Sequence, residues 1–512
     1  MREDTLIWSK LIWLVIVVLV LTGVIAHMVF VIQTYTKYPS QETTKLLNKS
    51  PHFPYLTICN ALPISFNHST EVSVDSSTEF ARYVQLMADM GDELEDYENR
   101  TGNSIDDILL SPLGIYANIE RDEIIEIGHS LKDLVRGCKY LAEDCNMEEH
   151  WEHFVDSEYF NCYTFTGGAK SDKSATGPTN GFSVVLYMEN LVPLSYNRDE
   201  SYNIYSNIQN SFGLRVDIHD EGTLPTLIDT GIDIMPGHST SIALKANKIH
   251  KLPQPWDDCT NKDRLDGLDE YRYSTEGCFT ECLTKFVYDK CDCVVNYSPT
   301  PHSIPSETKH CLFMDNVTVT LADYDDIANC VFRAYTKFNT NEKVREKCNC
   351  KEPCAYRTYD KEISENIWPA HIYQFDAFTE FAIETEDHES LLAYNQMWDT
   401  FVDAQNGATD GTLFKEMMFS NFARINIYFK SQTVLERKQT ASMTLTDLFA
   451  NVGGTIGLWA GLSVVTVIEV FSLLIRIVRI LVTRCEKMRD QKEELETIMK
   501  HQHENLSLIA CM

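Results

Sequence analysis

Two long apolar runs, set at opposite ends of the chain, constrain its fold more than any other feature. Leu11 to Gln33 is 23 residues without a formal charge. At about 1.5 Å per residue such a helix crosses roughly 30 Å of hydrocarbon. A cleavable signal peptide would have a shorter apolar core and a small-residue cleavage site, whereas Tyr35, Tyr38 and Pro39 follow here. The run is therefore expected to remain as a first span, with Tyr35 and Tyr38 at the outer interface where amphipathic rings settle. The second run, Val452 to Ile475, has 24 residues and one ionisable group, Glu469. Arg476, Arg479, Arg484, Lys487 and Arg489 come directly after it, and the positive-inside rule puts that tail in the cytosol.

Both termini are thus expected in the cytosol of a plasma-membrane protein. The expected order is a cytosolic N-terminus over 1–10, too short to fold, a first span over 11–33 and an extracellular domain over 34–450. A second span over 451–478 and a cytosolic tail over 479–512 complete it, the tail carrying Glu and Lys at helical spacing. Sixteen cysteines test this layout: fourteen lie between the runs and two, Cys485 and Cys511, lie in the tail. An even outer set suits an oxidising compartment and up to seven bridges. Asn48, Asn67, Asn99, Asn296 and Asn316 each begin an N-x-S/T acceptor in the outer segment, as expected of a glycoprotein. The 44 basic against 75 acidic residues, a formal net charge of -31, argue against nucleic acid as a partner.

Within the outer segment, Phe53 to Asn60 reads as a buried strand ending at Cys59. Residues 79–136 read as a helical, finger-like region, with Ile124, Ile125, Ile127, Leu131 and Leu134 at apolar spacing. Short strands are expected at Ser183 to Met188, Leu214 to Ile218 and Ser241 to Leu244. Residues 259–354 hold ten of the fourteen outer cysteines and read as a thumb-like region. Residues 373–404 are again helical, and Arg424 to Phe429 alternates as a strand. Such mixing in one disulfide-rich segment indicates an α+β ectodomain. The strands near Phe53 and Arg424 are expected to be neighbours feeding the two spans.

The second run carries the chemistry. Gly453, Gly454 and Gly457 sit at spacings that let helices approach closely, which helix packing alone would explain. Gly461-Leu462-Ser463 and then Glu469 add polarity deep in the membrane, where a carboxylate is costly and usually faces a bundle interior or a water-filled path. A Gly-x-Ser break can turn backbone carbonyls inward, and carbonyl rings replace the water around a cation. One helix cannot enclose a pore, so several chains are expected. A cysteine-rich membrane-anchored receptor or ectoenzyme would explain the bridges and acceptors, yet it gives no use for Gly461, Ser463 and Glu469. No nucleophile elbow, metal-binding His pair or phosphate loop is found, so neither enzyme nor cofactor is expected. A nucleotide-gated channel would need clustered basic residues in the ectodomain, and none is evident.

The Gly-x-Ser span with its preceding GGxxGL run, the FPYLTICN strand and Asn161-Cys162-Tyr163-Thr164-Phe165 resemble the degenerin/epithelial sodium channel family. Pro236-Gly237, Leu252-Pro253-Gln254-Pro255-Trp256 to Cys259, and Cys278-Phe279-Thr280-Glu281-Cys282 are similar too, so the likeness runs from Leu11 to about Arg479. That family includes acid-sensing and peptide-gated sodium channels. The resemblance implies an amiloride-sensitive, ligand-gated sodium channel built as a homotrimer, or as a heterotrimer with related subunits, passing sodium ions across membrane lipid. Gly461, Leu462 and Ser463 would form its selectivity filter, Glu469 would attract cations below it, and Ala450 and Asn451 with Gly453, Gly454 and Gly457 would form the gate. Trp256 would couple the thumb to Tyr35 or Tyr38. The implied bridges are Cys59–Cys162, Cys138–Cys145, Cys259–Cys354, Cys278–Cys350, Cys282–Cys348, Cys291–Cys330 and Cys293–Cys311. Zinc at Cys291-x-Cys293 and Cys348-x-Cys350 is the rival reading, disfavoured outside the cell.

Three departures matter. The family's His-Gly pair before the first span is absent, which implies a truncated start or a different inner vestibule. Thr36-Lys37-Tyr38-Pro39 stands where acid-sensing members carry a histidine. Asn426 and Lys430 stand where those members carry carboxylates. Losing these proton switches shifts the expected stimulus to an extracellular, FMRFamide-like neuropeptide, with proton, mechanical or constitutive gating as the alternatives within the family.

Overall fold

The computed structural model describes residues 2–74, 77–103, 105–168, 176–190, 212–295, 299–314, 320–383, 392–461 and 464–509. The chain divides into two compact units, Met1–Gln41 with Ala441–Met512, and Glu42–Thr440.

The larger unit is built on two sheets. One has five strands in the order β5 (Trp151–Asp156), β6 (Phe160–Phe165), β2 (Tyr55–Asn60), β8 (Leu214–His219) and β9 (Ile232–Ile234). The other runs β1 (Ser40–Asn48), β13 (Thr433–Ala441), β10 (His238–His250), β12 (Phe422–Phe429), β7 (Phe182–Tyr187), β3 (Val135–Tyr140) and β4 (Glu143–Asp144), with β11 (Ala355–Ile367) also on β10. Leu56 and Ile58 of β2, Phe165 of β6, Phe182 and Val184 of β7, and Ile425 and Ile427 of β12 are fully buried in one shared core. Each such side chain contributes about 1.5–3 kcal/mol on leaving water.

Seven described helices, from α2 (Phe66–Val74) to α8 (Leu131–Leu134), form the finger-like region. In the second of them, α3 (Glu79–Asp89), Phe80, Tyr83 and Met87 share one buried face, as i, i+3, i+7 spacing requires. The helical region thus begins before residue 79 and ends at Leu134, where β3 takes over. Ile125 points to solvent, while Ile124 and Ile127 are buried.

The thumb-like region is α9 (Thr275–Cys291) and α10 (Leu321–Thr340). The Ser274 Oγ caps α9 by accepting from Gly277 N at 3.0 Å, and a Thr320/Asp323 capping box starts α10. Cys278 and Cys282 lie one turn apart on α9, so both reach the 348–350 segment. The seven bridges are those the family resemblance implies. Cys291, Cys293, Cys348 and Cys350 each bond another cysteine, which removes the zinc reading. The helices α11 (Gln374–Phe378), α12 (Leu392–Gln405) and α13 (Thr412–Asn421) pack Phe378, Phe401 and Phe414 together.

One expectation is corrected here. The strands near Phe53 and Arg424, β2 and β12, lie in different sheets. The adjacent strands that run by chain into the apolar helices are β1 and β13, tied by Thr43 Oγ1 donating to the Lys438 carbonyl at 3.0 Å.

In the smaller unit α1 spans Arg2–Thr36, so residues 2–10 extend the apolar helix rather than forming a separate segment. Its stretch Lys10–Thr36 is long and apolar enough to cross a membrane. The second apolar run forms two helices, α14 (Leu445–Ala460) and α15 (Val464–Ile509), the first starting six residues before the expected 451.

Candidate ion pathway

The helix α14 begins at a capping box, Thr444 Oγ1 accepting from Asp447 N at 3.2 Å and Asp447 Oδ2 from Thr444 N at 2.9 Å. It ends at Gly461, whose φ of 64° is left-handed, a conformation that a Cβ penalises. The amide of Gly461 closes the last turn on the Gly457 carbonyl at 3.0 Å. The helix is therefore broken at the first residue of Gly461-Leu462-Ser463. Leu462 and Ser463 lie outside the described residues.

At about 100° per residue, α14 has two opposed faces. Val452, Thr455, Ile456 and Trp459 form one, turned to α1. Thr455 is buried, 3.4 Å from His27 Nδ1 of α1, and a Cβ added at Gly23 of α1 would lie 2.6 Å from the Trp459 ring. Ala450, Gly453, Gly454, Gly457 and Gly461 form the opposite face. Ala450, Gly453, Gly454 and Gly461 are exposed, and a Cβ added at Gly453, Gly454 or Gly461 would meet nothing within 4 Å. Asn451 is exposed beside them, and Glu469 is exposed on α15. The small-residue stripe is thus not spent on α1.

Tyr35 and Tyr38 stand together at the end of α1, ring centroids 5.7 Å apart, where Tyr38 N donates to Tyr35 O at 2.9 Å. Trp256 is half-buried in the ectodomain unit, in a turn where its amide donates to Pro253 O at 3.2 Å. Of the glycan acceptors, Asn48 and Asn99 are exposed, and Asn296 and Asn316 lie outside the described residues. Asn67 is only 7% exposed, and its backbone amide donates to Glu189 Oε1 at 2.9 Å. That burial leaves no room for a glycan, and the expectation at Asn67 is withdrawn.

The positions that lack acids are chemically occupied. Asn426 is buried, accepting from Ser183 Oγ at 2.9 Å and donating to Ser239 Oγ at 3.0 Å. Lys430 Nζ lies 2.6 Å from Glu362 Oε2, while Lys245 Nζ holds Glu362 Oε1 at 2.7 Å. The hydrogen bond from Lys245, then that from Lys430, bring the Glu362 carboxyl down to about 2. Sequence reasoning missed Lys245 and Glu362 because the pair is separated by 117 residues and meets only through strand register. It missed the His27–Thr455 approach for the same reason, although a histidine inside an apolar run is a visible signal.

A disulfide-braced ectodomain carried between apolar helices, the second of them broken at a glycine, defines the class: a membrane channel subunit. Residues 2–473 match the family described as amiloride-sensitive sodium channel, and the chain belongs to that family, whose members are ion channels rather than enzymes. It is 27% identical to the FMRFamide-activated amiloride-sensitive sodium channel of Cornu aspersum, covering 91% of this chain and 79% of that one. It is 24% identical to acid-sensing ion channel 1A of Danio rerio, over 90% and 81% of the two chains. The epithelial sodium channel subunit alpha of Neoceratodus forsteri is 24% identical over 74% of this chain, which spans 51% of that subunit.

Proposed function

We propose that this chain is one subunit of a trimeric, sodium-selective, amiloride-sensitive channel of the plasma membrane, both termini cytosolic, opened by an extracellular FMRFamide-like neuropeptide. Gly461, Leu462 and Ser463 form the filter, Glu469 concentrates cations beneath it, and the Ala450–Gly457 face forms the gate. Trp256, Tyr35 and Tyr38 couple ectodomain to membrane. Asn48 and Asn99 carry glycans.

The observation that favours peptide over proton is the clamp on Glu362. A carboxylate held between two ammonium groups, with its carboxyl near 2, keeps its charge throughout the range in which acid-sensing would operate. The peptide-activated relative supports the same reading. Peptide binding would open the channel by favouring the open ectodomain over the closed one, and movement would pass along β1 and β13, the strands continuous with α1 and α14.

The test is two-electrode voltage clamp on cells expressing this chain alone, with amidated peptides and acid steps applied in turn and Na+ then exchanged for K+. A peptide-evoked, amiloride-blocked, Na+-preferring current supports the reading. An acid-evoked current keeps the channel and overturns its proposed stimulus. Silence with confirmed surface expression overturns the homomeric form of the proposal.

A further inference from the structure

A cavity of about 340 Å³ opens between the two ectodomain sheets at the start of α9. One wall is β11, whose alternate residues Arg357, Tyr359 and Lys361 share a face, as strand geometry dictates. Facing it are Asp217 and His219 of β8, which belongs to the other sheet. The polar groups on that side are already engaged. Asp217 accepts from Thr226 N at 3.1 Å and Thr230 Oγ1 at 2.7 Å, and His219 lies 2.9 Å from Thr57 Oγ1 and 3.1 Å from Thr223 Oγ1. Asp220 pairs with Arg357 at 3.2 Å.

Lys361 differs. It is half-buried, and its ammonium makes no hydrogen bond or ion pair within 4 Å among the described residues. Burial lowers its pKa, opposed by the charge of Asp217 across the cavity. A desolvated ammonium without an acceptor is costly, and an anion beside it relieves that cost. The first turn of α9 also lines the cavity, but it brings Glu276, with Glu352 in the same lining. Its Gly277 and Cys278 amides are taken by Ser274, so the attraction for an anion rests on Lys361, Arg272 and Arg357. Tyr359 on that face and the adjoining Tyr356 line it too, and an inorganic ion would leave them and most of the volume unused. The volume falls within the range of about 300–1,000 Å³ usual for small-molecule sites, although the lining is mostly polar and charged, with Ile218, Leu224, Pro353 and Ala355 as its apolar members.

We propose that this cavity binds a small organic carboxylate, its carboxylate received by Lys361 and its aromatic or aliphatic body laid against Tyr356 and Tyr359. Because the walls come from different sheets, the bound molecule ties β8 to β11 and stiffens the ectodomain, whichever stimulus opens the channel.

The test is ¹⁹F NMR of 4-fluorobenzoate with the detergent-solubilised full-length chain. The expected result is saturable line broadening, displaced by benzoate but not by equal chloride. Lys361→Met should weaken it about tenfold or more, the loss of one charge-assisted hydrogen bond, and Lys361→Arg should retain part of it. Lys361→Met removes a desolvated charge at similar length, so thermal unfolding should match or exceed that of the wild type. If it does not fold, Tyr356→Ala on the half-exposed wall serves instead, with weaker binding again expected. No broadening with wild type, unchanged binding in a folded variant, or equal displacement by chloride overturns the proposal, the last marking an unspecific anion site.

Discussion

Glu362 is exposed between two lysines, and the sign of its shift sets the expectation. A depressed carboxyl contributes stability above the ordinary carboxylate range, lost only as pH falls toward about 2, so acid steps to about pH 5 should leave it untouched. Lys430→Glu removes one clamp and sets a second carboxylate beside the first, which raises the pKa of the pair. That variant should acquire an acid-dependent current or an acid-dependent peptide response between about pH 7 and 5; an unchanged pH profile would show that the clamp has no part in stimulus choice. A second titrating pair lies in the helical region, where His68 Nε2 meets Asp133 Oδ2 at 3.1 Å. The Asp133 bond raises His68 to about 9 against its own burial. Burial alone would raise Asp133, but the bonds from His68 and Ser130 outweigh it and leave it lowered. A histidine raised in this way contributes stability fully present below its unfolded pKa and lost as pH rises through about 9. The nearby Glu189 is raised by burial to about 7 and His129 is lowered by burial to about 4, so the loss of stability above about pH 7 and up to about 9 is the part that His68 carries. Thermal unfolding should fall over that window, and His68→Gln should flatten the fall. Ala450 belongs to the stripe turned away from α1. Ala450→Trp should hold neighbouring helices apart and give a standing, amiloride-blocked current; closed-state behaviour identical to wild type would remove Ala450 from the gate.

Elements show where sequence is informative. Strands β2, β7, β8 and β12 were visible as runs of β-formers because their side chains fill a core and cannot vary freely in character. Strands β1 and β13 were not, since SQETTKLLN and TVLERKQTA are mostly polar, the first largely exposed and the second largely half-buried, with no alternation to read. They matter all the same, as the strands continuous with the apolar helices. The break in the second run was legible from Gly461 and Ser463, whereas the division of α14 into an α1-facing and a free face was not. That division needed Thr455 and Trp459 to be seen against His27 and Gly23. The left-handed φ of Gly461 makes the break testable. Gly461→Ala should disfavour it by about 1 kcal/mol, and the Na+ over K+ preference, read from reversal potentials, should fall. Gly461→Asn, a residue that tolerates the left-handed region, should keep more of that preference. Equal selectivity in both variants would separate the helix break from ion choice.

At the scale of the whole molecule, one subunit leaves its membrane unit unfinished. The Ala450–Gly461 stripe is exposed opposite the α1 side of α14, and a small-residue face is suited to close approach of other helices. Glu469 is exposed in an otherwise apolar stretch of α15, and an intramembrane carboxylate calls for water or a polar lining. Both demands are met if copies of α14 and α15 surround a water-filled axis, which is the physical case for the trimer. In that assembly three Glu469 carboxylates ring the path and raise the local sodium concentration, an effect carried by charge over distance rather than by a fitted contact. Glu469→Gln keeps the shape and removes the charge. Single-channel sodium conductance should then fall on the order of twofold at low ionic strength. The difference should shrink toward zero at ~1 M salt, where the screening length is about 3 Å. A deficit that persists at high salt would mean that Glu469 binds the ion directly. Equal conductance at every salt concentration would place Glu469 away from the ion path and remove the electrostatic part of the case for surrounding that path with this helix.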